Sequence, residues 1–492
     1  MPRSSEGTSR ANGLNPGPLP LPLIGNLHQI IVGNIRYGGI VELMKIWQKD
    51  YGNVITFWFG PIPTVHILDF ETAQEEMIVN GAAYADRYTP YALDVKREGR
   101  GTIFSSGDFW ADHRRFTLRT LRDFALKNSI MEERIMDEVQ YNFAKLEESM
   151  VHGEAKINAG EFFDVLIGSV INRIIFSERF TKESTAEFFE VKHIVDKELM
   201  GMTAFGMSLE KWTLNIPILK YKWRKLIEPQ EKLVQFLQKR LDQRKEDIAS
   251  GKHSLDGDGD DFVDAFLIRM EKDRREGRHP TQAYTEDELL YDVFDLWIAG
   301  HETTAITVMW GFMHLIKNPS FIEKIRAELN VVTNGNRPVS LSDKEHTPYL
   351  NWTVLETQRL ASIVNLNLWR RTKEGRKVGG YFVPEGTAIA AELSLIMSDE
   401  KYFKDSVKFD PGRYEEGGKE LEQRVIPFGI GKRSCIGETL AKAEIYLILA
   451  NMISRYEILE DPEAPIDLKT ITPIGLMHRP KNFNIILKLL SY

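Results

Sequence analysis

A single cysteine occurs among the 492 residues, and the types around it suit a metal-binding sulfur. Cys435 ends a turn-rich run, Phe428-Gly429-Ile430-Gly431-Lys432-Arg433-Ser434-Cys435-Ile436-Gly437, and a helical pattern opens at Glu438. A cysteine just ahead of a helix faces unpaired backbone N–H groups and the positive end of the dipole. Both favour thiolate over thiol. Gly429 and Gly431 permit a tight turn and close approach of backbone to a flat ligand. Phe428 can pack beside the sulfur and keep water away, and Arg433 can reach a carboxylate. One cysteine forms no intrachain disulfide and no multi-cysteine zinc site.

A second constellation is Ala299-Gly300-His301-Glu302-Thr303-Thr304. A helical acid is ordinarily a surface charge, and paired threonines often bond back to a carbonyl. Here the acid follows Leu296-Trp297-Ile298 inside an apolar helix, which favours a chemical use: Glu302 can pass protons inward. Gly300 is expected to leave room for a ligand. Glu356-Thr357-Gln358-Arg359 offers an i, i+3 ion pair, a weak signal taken alone.

The elements that position these groups are legible. Thr285 with Glu288 forms a capping box and Asn318-Pro319 ends the pattern, so 285–317 reads as one helix roughly 50 Å long. Residues 55–59 and 64–68 read as strands around Gly60-Pro61-Ile62-Pro63. An apolar run from Val165 to Ile175 reads as a buried helix, and 228–250 as a solvent-facing one. Residues 376–394 return to strand and turn, and a second long helix follows Cys435. The fold class is mainly α with a small β region. The acidic stretch Gly251–Asp261 fails the calcium-loop pattern at its sixth and twelfth positions and reads as a solvated loop.

Composition narrows the function classes. Lys and Arg number 63 against 71 Asp and Glu, a net charge of -8, which argues against nucleic-acid binding. Residues 1–13 are polar and lack both an apolar span and a signal-peptide pattern. A stiff stretch, Pro16-Gly17-Pro18-Leu19-Pro20-Leu21-Pro22, follows. The expected organisation is a polar N-terminus with a proline-rich hinge, 1–22, and a single catalytic domain, 23–492.

The Cys435 segment resembles the haem-binding loop of the cytochromes P-450, F-G-x-G-x-R-x-C-x-G, at every defined position. Ala299–Thr304 is similar to that family's oxygen-activation motif, and Glu356–Arg359 to its E-x-x-R. Phe409-Asp410-Pro411-Gly412-Arg413-Tyr414 resembles F-x-P-x-R-F, with Tyr414 for the last Phe, and Trp110-Ala111-Asp112-His113-Arg114 resembles W-x-x-x-R. The likeness runs from Pro16 to the C-terminus and is closest to animal microsomal drug- and lipid-oxidising members. Prolines usual after the E-x-x-R helix are missing from 361–368.

The resemblance implies the cytochrome P-450 fold, a large helical domain with a long central helix and a small β-rich part. It implies haem b, with Cys435 as the iron's axial ligand and Trp110, Arg114, Arg371, Phe428, Arg433 and Gly437 around the cofactor. Arg97 or Arg100 could add a propionate contact. Glu302 and Thr303 would manage protons, Thr303 by hydrogen bonding to dioxygen or nearby water. Glu356, Arg359 and Arg413 would form a structural ionic triad. Phe104, Phe205, Ala299, Val364 and Leu476 are expected to line the substrate pocket.

The implied activity is a monooxygenase inserting one oxygen atom of O2 into an apolar molecule such as a xenobiotic, fatty acid, eicosanoid or steroid. NADPH would act indirectly, through NADPH-cytochrome P-450 reductase, with cytochrome b5 as a further partner. A patch of Arg115, Arg119, Arg122 and Lys432 would steer the reductase. Residues 212–225 suit a membrane interface. The implied location is the cytosolic face of the endoplasmic reticulum membrane, by peripheral contact, with an N-terminal anchor expected to be absent. The competing readings are a haem-thiolate isomerase or dehydratase acting on peroxides, and a non-catalytic haem sensor.

Overall fold

The computed structural model describes residues 16–126, 130–181, 183–201, 203–278, 284–473, 475 and 477–490. Its axis is the helix Glu286–Lys317, capped by the Thr285–Glu288 box and ended at Asn318. From Leu289 to Ile316 most of its side chains are buried, so it has no solvent face to speak of over its middle. It packs against the apolar helix Ala159–Phe176, and against Pro348–Ala361 and Glu438–Arg455 on its other sides.

Burying this helix also buries its charges, and each finds partners. Asp292 accepts from the Thr102 hydroxyl at 2.6 Å and lies 2.7 Å from His113 Nδ1. Asp295 pairs with Arg97 and accepts from the Ile103 backbone N–H at 2.8 Å. These bonds tie the helix Gly107–Leu126, through His113, and the segment before it to the central helix.

The β region is a five-stranded sheet with two smaller ones. Val54–Phe59 and Ile62–Ile67 form an antiparallel pair. Ala388–Ala391 lies parallel to the second strand, and Arg370–Arg371 and Asp86–Arg87 complete the sheet antiparallel. Alternation along a strand sends neighbours to opposite faces, so Arg370 is buried while Arg371 is exposed.

Two local expectations change. The stretch 251–261 has no regular element, but its last acid is buried: Asp261 caps the helix Phe262–Arg275 and sits 2.9 Å from Arg244. The helix Lys220–Ala249 has a wet face, yet it also buries Trp223, Leu233 and Leu237. No described helix is long and apolar enough to cross a membrane.

Candidate active site

The sulfur loop is closed by the Cys435 backbone N–H donating to the Phe428 carbonyl at 2.9 Å. Gly431 sits at φ 84°, and a Cβ there would lie 2.0 Å from the Met77 carbonyl oxygen, so only glycine fits. Gly437 is the residue before Glu438–Arg455, and its backbone N–H donates to the Cys435 sulfur. The Cys435 side chain is exposed although its loop lies deep in the fold. That depth raises the thiol pKa by more than the Gly437 N–H and Arg114 lower it. The helix terminus alone therefore does not make the thiolate; coordination to a metal would. Phe428 is partly buried, with Lys442 Nζ 5.4 Å from its ring centre.

Four arginines surround this loop: Arg87, Arg114, Arg370 and Arg433. Arg433 donates to the carbonyls of Ala85 and Ser105, both at 2.6 Å, and lies 3.6 Å from the Trp110 ring centre. Arg114 donates to the Ser434 carbonyl at 2.7 Å. Among the described residues none of the four makes an ion pair, and Nη1 of both Arg370 and Arg433 has no hydrogen-bond partner. Trp110 Nε1 is also buried and unpaired. Burial first, and mutual repulsion second, pushes the pKa of Arg370, Arg433 and Arg87 down. Arginine does not give up its proton in proteins, so the depression expresses an unmet demand for anions.

The donor set therefore fits haem b. Cys435 would hold the iron, and the arginine cluster would hold its two carboxylates. One expected member does not belong: Arg371 points out to solvent, its guanidinium 5.7 Å from the Tyr88 ring centre. Strand alternation gives the place to Arg370, which a strand-period reading of Arg370-Arg371 could have found. Arg97 is held by Asp295, and Arg100 is at the surface beside Glu98.

Glu356 gathers five hydrogen bonds. Arg359 Nε and Nη2 donate at 2.8 and 2.9 Å, Arg413 Nε at 3.0 Å, and the Asp410 backbone N–H at 3.0 Å. The Tyr414 hydroxyl supplies the fifth at 2.9 Å. Tyrosine in place of phenylalanine thus adds a donor, and a buried phenol needs such a partner.

On the central helix, Glu302 is buried in a mixed-charge cluster. Lys192 Nζ lies 3.2 Å from Oε1 and Arg479 Nη1 3.3 Å from Oε2. His301 Nδ1 is 3.3 Å from Oε1, an ionic contact without hydrogen-bond alignment. Asp164 and Asp196 complete the cluster through Lys192, His301 and Arg479. Burial pushes the His301 pKa down, but Asp164 and Glu302 raise it more, to about 9. Burial raises Glu302, but Lys192, His301 and Arg479 hold it below the usual carboxylate range. The sequence motif showed the acid and its neighbour His301, but not Lys192 and Arg479, which lie more than 100 positions away.

The Thr303 hydroxyl donates to the Ala299 carbonyl at 2.6 Å. Gly300 does not leave ligand space: a Cβ there would lie 2.5 Å from Ile171 Cδ1, so it serves close packing of two helices. Of the expected pocket residues, Phe104 lines the main apolar cavity. Ala299 and Val364 are partly buried outside that lining, and Phe205 is exposed on a short helix, Ala204–Met207. Leu476 lies outside the described residues.

A thiol at a helix start, a cluster of unpaired arginines beside it, and a long buried helix with an acid–threonine pair define a haem-thiolate protein. The family model for cytochrome P450 matches residues 15–487, and the chain belongs to that family. It is thereby an oxidoreductase of the haem-thiolate monooxygenase class, using haem b and, as is typical there, NADPH indirectly through a reductase. The chain is similar to probable cytochrome P450 cyp-35D1 of Caenorhabditis elegans, 38% identical over 92% of this chain and 90% of that protein. It is 31% identical to cytochrome P450 2C70 of Rattus norvegicus, over 96% and 93% of the two chains. Cytochrome P450 2U1 of Homo sapiens is 28% identical, over 97% and 89%.

Proposed function

We propose that the chain, read as one catalytic domain over 23–492, is a monooxygenase of apolar organic molecules, fed electrons by NADPH-cytochrome P-450 reductase with cytochrome b5 as a further donor. The observation that carries this is the Cys435 thiol set within four arginines that make no ion pair among the described residues. Haem, when bound, supplies the redox chemistry that activates O2. The chain's part is to hold and to protonate. Cys435 anchors, the Gly437 N–H tempers the sulfur's charge, and Arg114, Arg370 and Arg433 with Trp110 orient the carboxylates. Glu356, Arg359 and Arg413 lock the loop from behind. His301 keeps a proton at neutral pH beside Glu302, and Glu302 hands protons inward when it leaves Lys192. Thr303 can turn its hydroxyl from the Ala299 carbonyl toward the reacting oxygen.

The surface supports the partners. Arg115, Arg119, Arg122 and Lys432 are all exposed and would steer an acidic reductase. A membrane face is supported by exposed Ile31, Val32 and Ile35 on the helix Leu27–Tyr37 and by Trp212, Ile218 and Tyr221. Contact there would place the protein peripherally on the cytosolic face of the endoplasmic reticulum. The test is the visible spectrum of the reduced, carbon-monoxide-bound protein. A strongly red-shifted Soret band is expected; a histidine-type band, or no haem after expression with ample haem, overturns the reading.

A further inference from the structure

The main cavity lies between the five-stranded sheet, the helix Ile40–Tyr51 and the segment holding Phe104. Its wall is mostly apolar, with polar side chains at His66, Arg87, Asn365 and Glu392 and the polar tips of Tyr88 and Trp369. Arg87 donates to the carbonyls of Ile103, Asn367 and Leu368. Asn365 donates to the Gly475 carbonyl and accepts from Ser394. His66, on a strand, and Glu392, just past the end of the adjacent strand, form a pair: His66 Nδ1 lies 2.5 Å from Glu392 Oε1. Both residues are buried, His66 at 0% and Glu392 at 2% exposure.

Stability does not call for this pair, since apolar residues of similar volume serve a buried ion pair's place as well or better. Glu392 precedes a short helix, Leu393–Ile396, but its side chain makes no capping bond. Among the described residues its Oε2 makes no hydrogen bond. Trp369, which lines the same cavity and is 7% exposed, keeps its indole N–H without a partner. The Phe59 ring is 5.0 Å from that of Trp369 and 6.3 Å from that of His66. The Trp369 nitrogen is enclosed in the wall, so Glu392 Oε2 is the acceptor left for a ligand.

The protons on the pair can be assigned from the network. The Thr64 hydroxyl donates to the Phe57 carbonyl at 2.9 Å, so it accepts from His66, and Nε2 carries hydrogen. The Nδ1–Oε1 contact then needs one proton, on either atom. Imidazolium with carboxylate and imidazole with carboxylic acid are both neutral overall. A cationic ligand would bring net charge into an apolar cavity, and an anionic one, though drawn to Arg87, would be repelled by the Glu392 oxygen at the sheet end. A neutral hydroxyl donates to Oε2 and adds no charge.

We propose that Glu392, braced by His66, selects apolar substrates carrying a neutral hydroxyl, and that this hydroxyl is held at the sheet end of the cavity. This rests on the monooxygenase reading above and narrows its substrate class. Arg87 lines the cavity and also belongs to the arginine cluster at the sulfur loop, so the apolar body of the ligand extends toward the cofactor side.

Equilibrium dialysis of the haem-loaded protein with naphthaleneethanol, its methyl ether and ethylnaphthalene, read by naphthalene fluorescence, tests the proposal. The alcohol should bind about tenfold tighter than either analogue, because each analogue leaves a buried group unpaired. In the double variant His66→Phe/Glu392→Leu, which strands no charge, the three affinities should converge. Equal affinities in the wild-type protein, or a preference unchanged in the double variant, overturn it. The ligand series in the wild-type protein decides the matter even if the variant fails to fold. The carbon-monoxide spectrum of the same sample separates the two readings. A thiolate band with equal affinities defeats only this inference, and an alcohol preference without the band defeats only the monooxygenase assignment.

Discussion

The molecule buries two charge clusters, and they are built on opposite principles. Around Glu302, three carboxylates (Asp164, Asp196, Glu302) meet three cations (Lys192, Arg479, His301), and the cluster neutralises itself. Around Cys435, Arg87, Arg114 and Arg433 bond carbonyls, and among the described residues none of the four arginines pairs with a carboxylate. A balanced cluster contributes to the fold and stores protons. An unbalanced one costs folding free energy until something anionic arrives. The difference separates a region finished by the chain from one finished by a ligand.

The largest effect should come from the finished-by-ligand side. Cys435→Ser should abolish the red-shifted carbon-monoxide band and NADPH-driven turnover; a surviving band would remove the thiolate from the comparison. Next, Lys192→Leu should strand Glu302 and destabilise the protein by about 4 kcal/mol in urea unfolding, with or without haem. A change below about 1 kcal/mol would mean the Glu302 cluster is not balanced as described.

The pH dependence sharpens the contrast. His301 has its folded pKa raised to about 9 from 6.5, so its stabilisation is complete below pH 6.5 and is lost as pH rises through 9. Across that window the wild-type protein should lose about 3 kcal/mol, and His301→Gln should flatten the slope. An identical slope in the variant would place the titration elsewhere. The smallest effect has two signs. Arg370→Leu should stabilise the haem-free chain, by removing an unpaired buried cation, and weaken haem retention by about 2 kcal/mol. Loss of stability in the haem-free variant would show that Arg370 already has what it needs.

Sequence made one of these regions far more legible than the other. The Cys435 loop is contiguous, and every chemical role in it follows from residue type and order, so its cysteine, arginine and glycines could be named directly. The helix Glu286–Lys317 was equally plain, because its capping box and terminal Asn-Pro are local signals. The Glu302 cluster draws Lys192 and Arg479 from a helix and a loop far along the chain, and no local pattern announces them. Family alignment by spacing points to Arg371, because spacing ignores which strand face is buried. Residue type alone assigns Gly300 to ligand space, because sequence does not show Ile171 across the helix contact. His66 and Glu392 meet only because two strands, separated by more than 300 residues, lie parallel in the sheet.

Cys435 is also the chain's only site for sulfhydryl chemistry. An alkylating reagent that counts free thiols would therefore count chains without cofactor, one for one, with no other sulfur to mask. Its raised pKa makes that labelling slow at neutral pH and faster in alkali. Loading can thus be followed in a mixed sample by mass alone, without colour, turnover or an engineered tag.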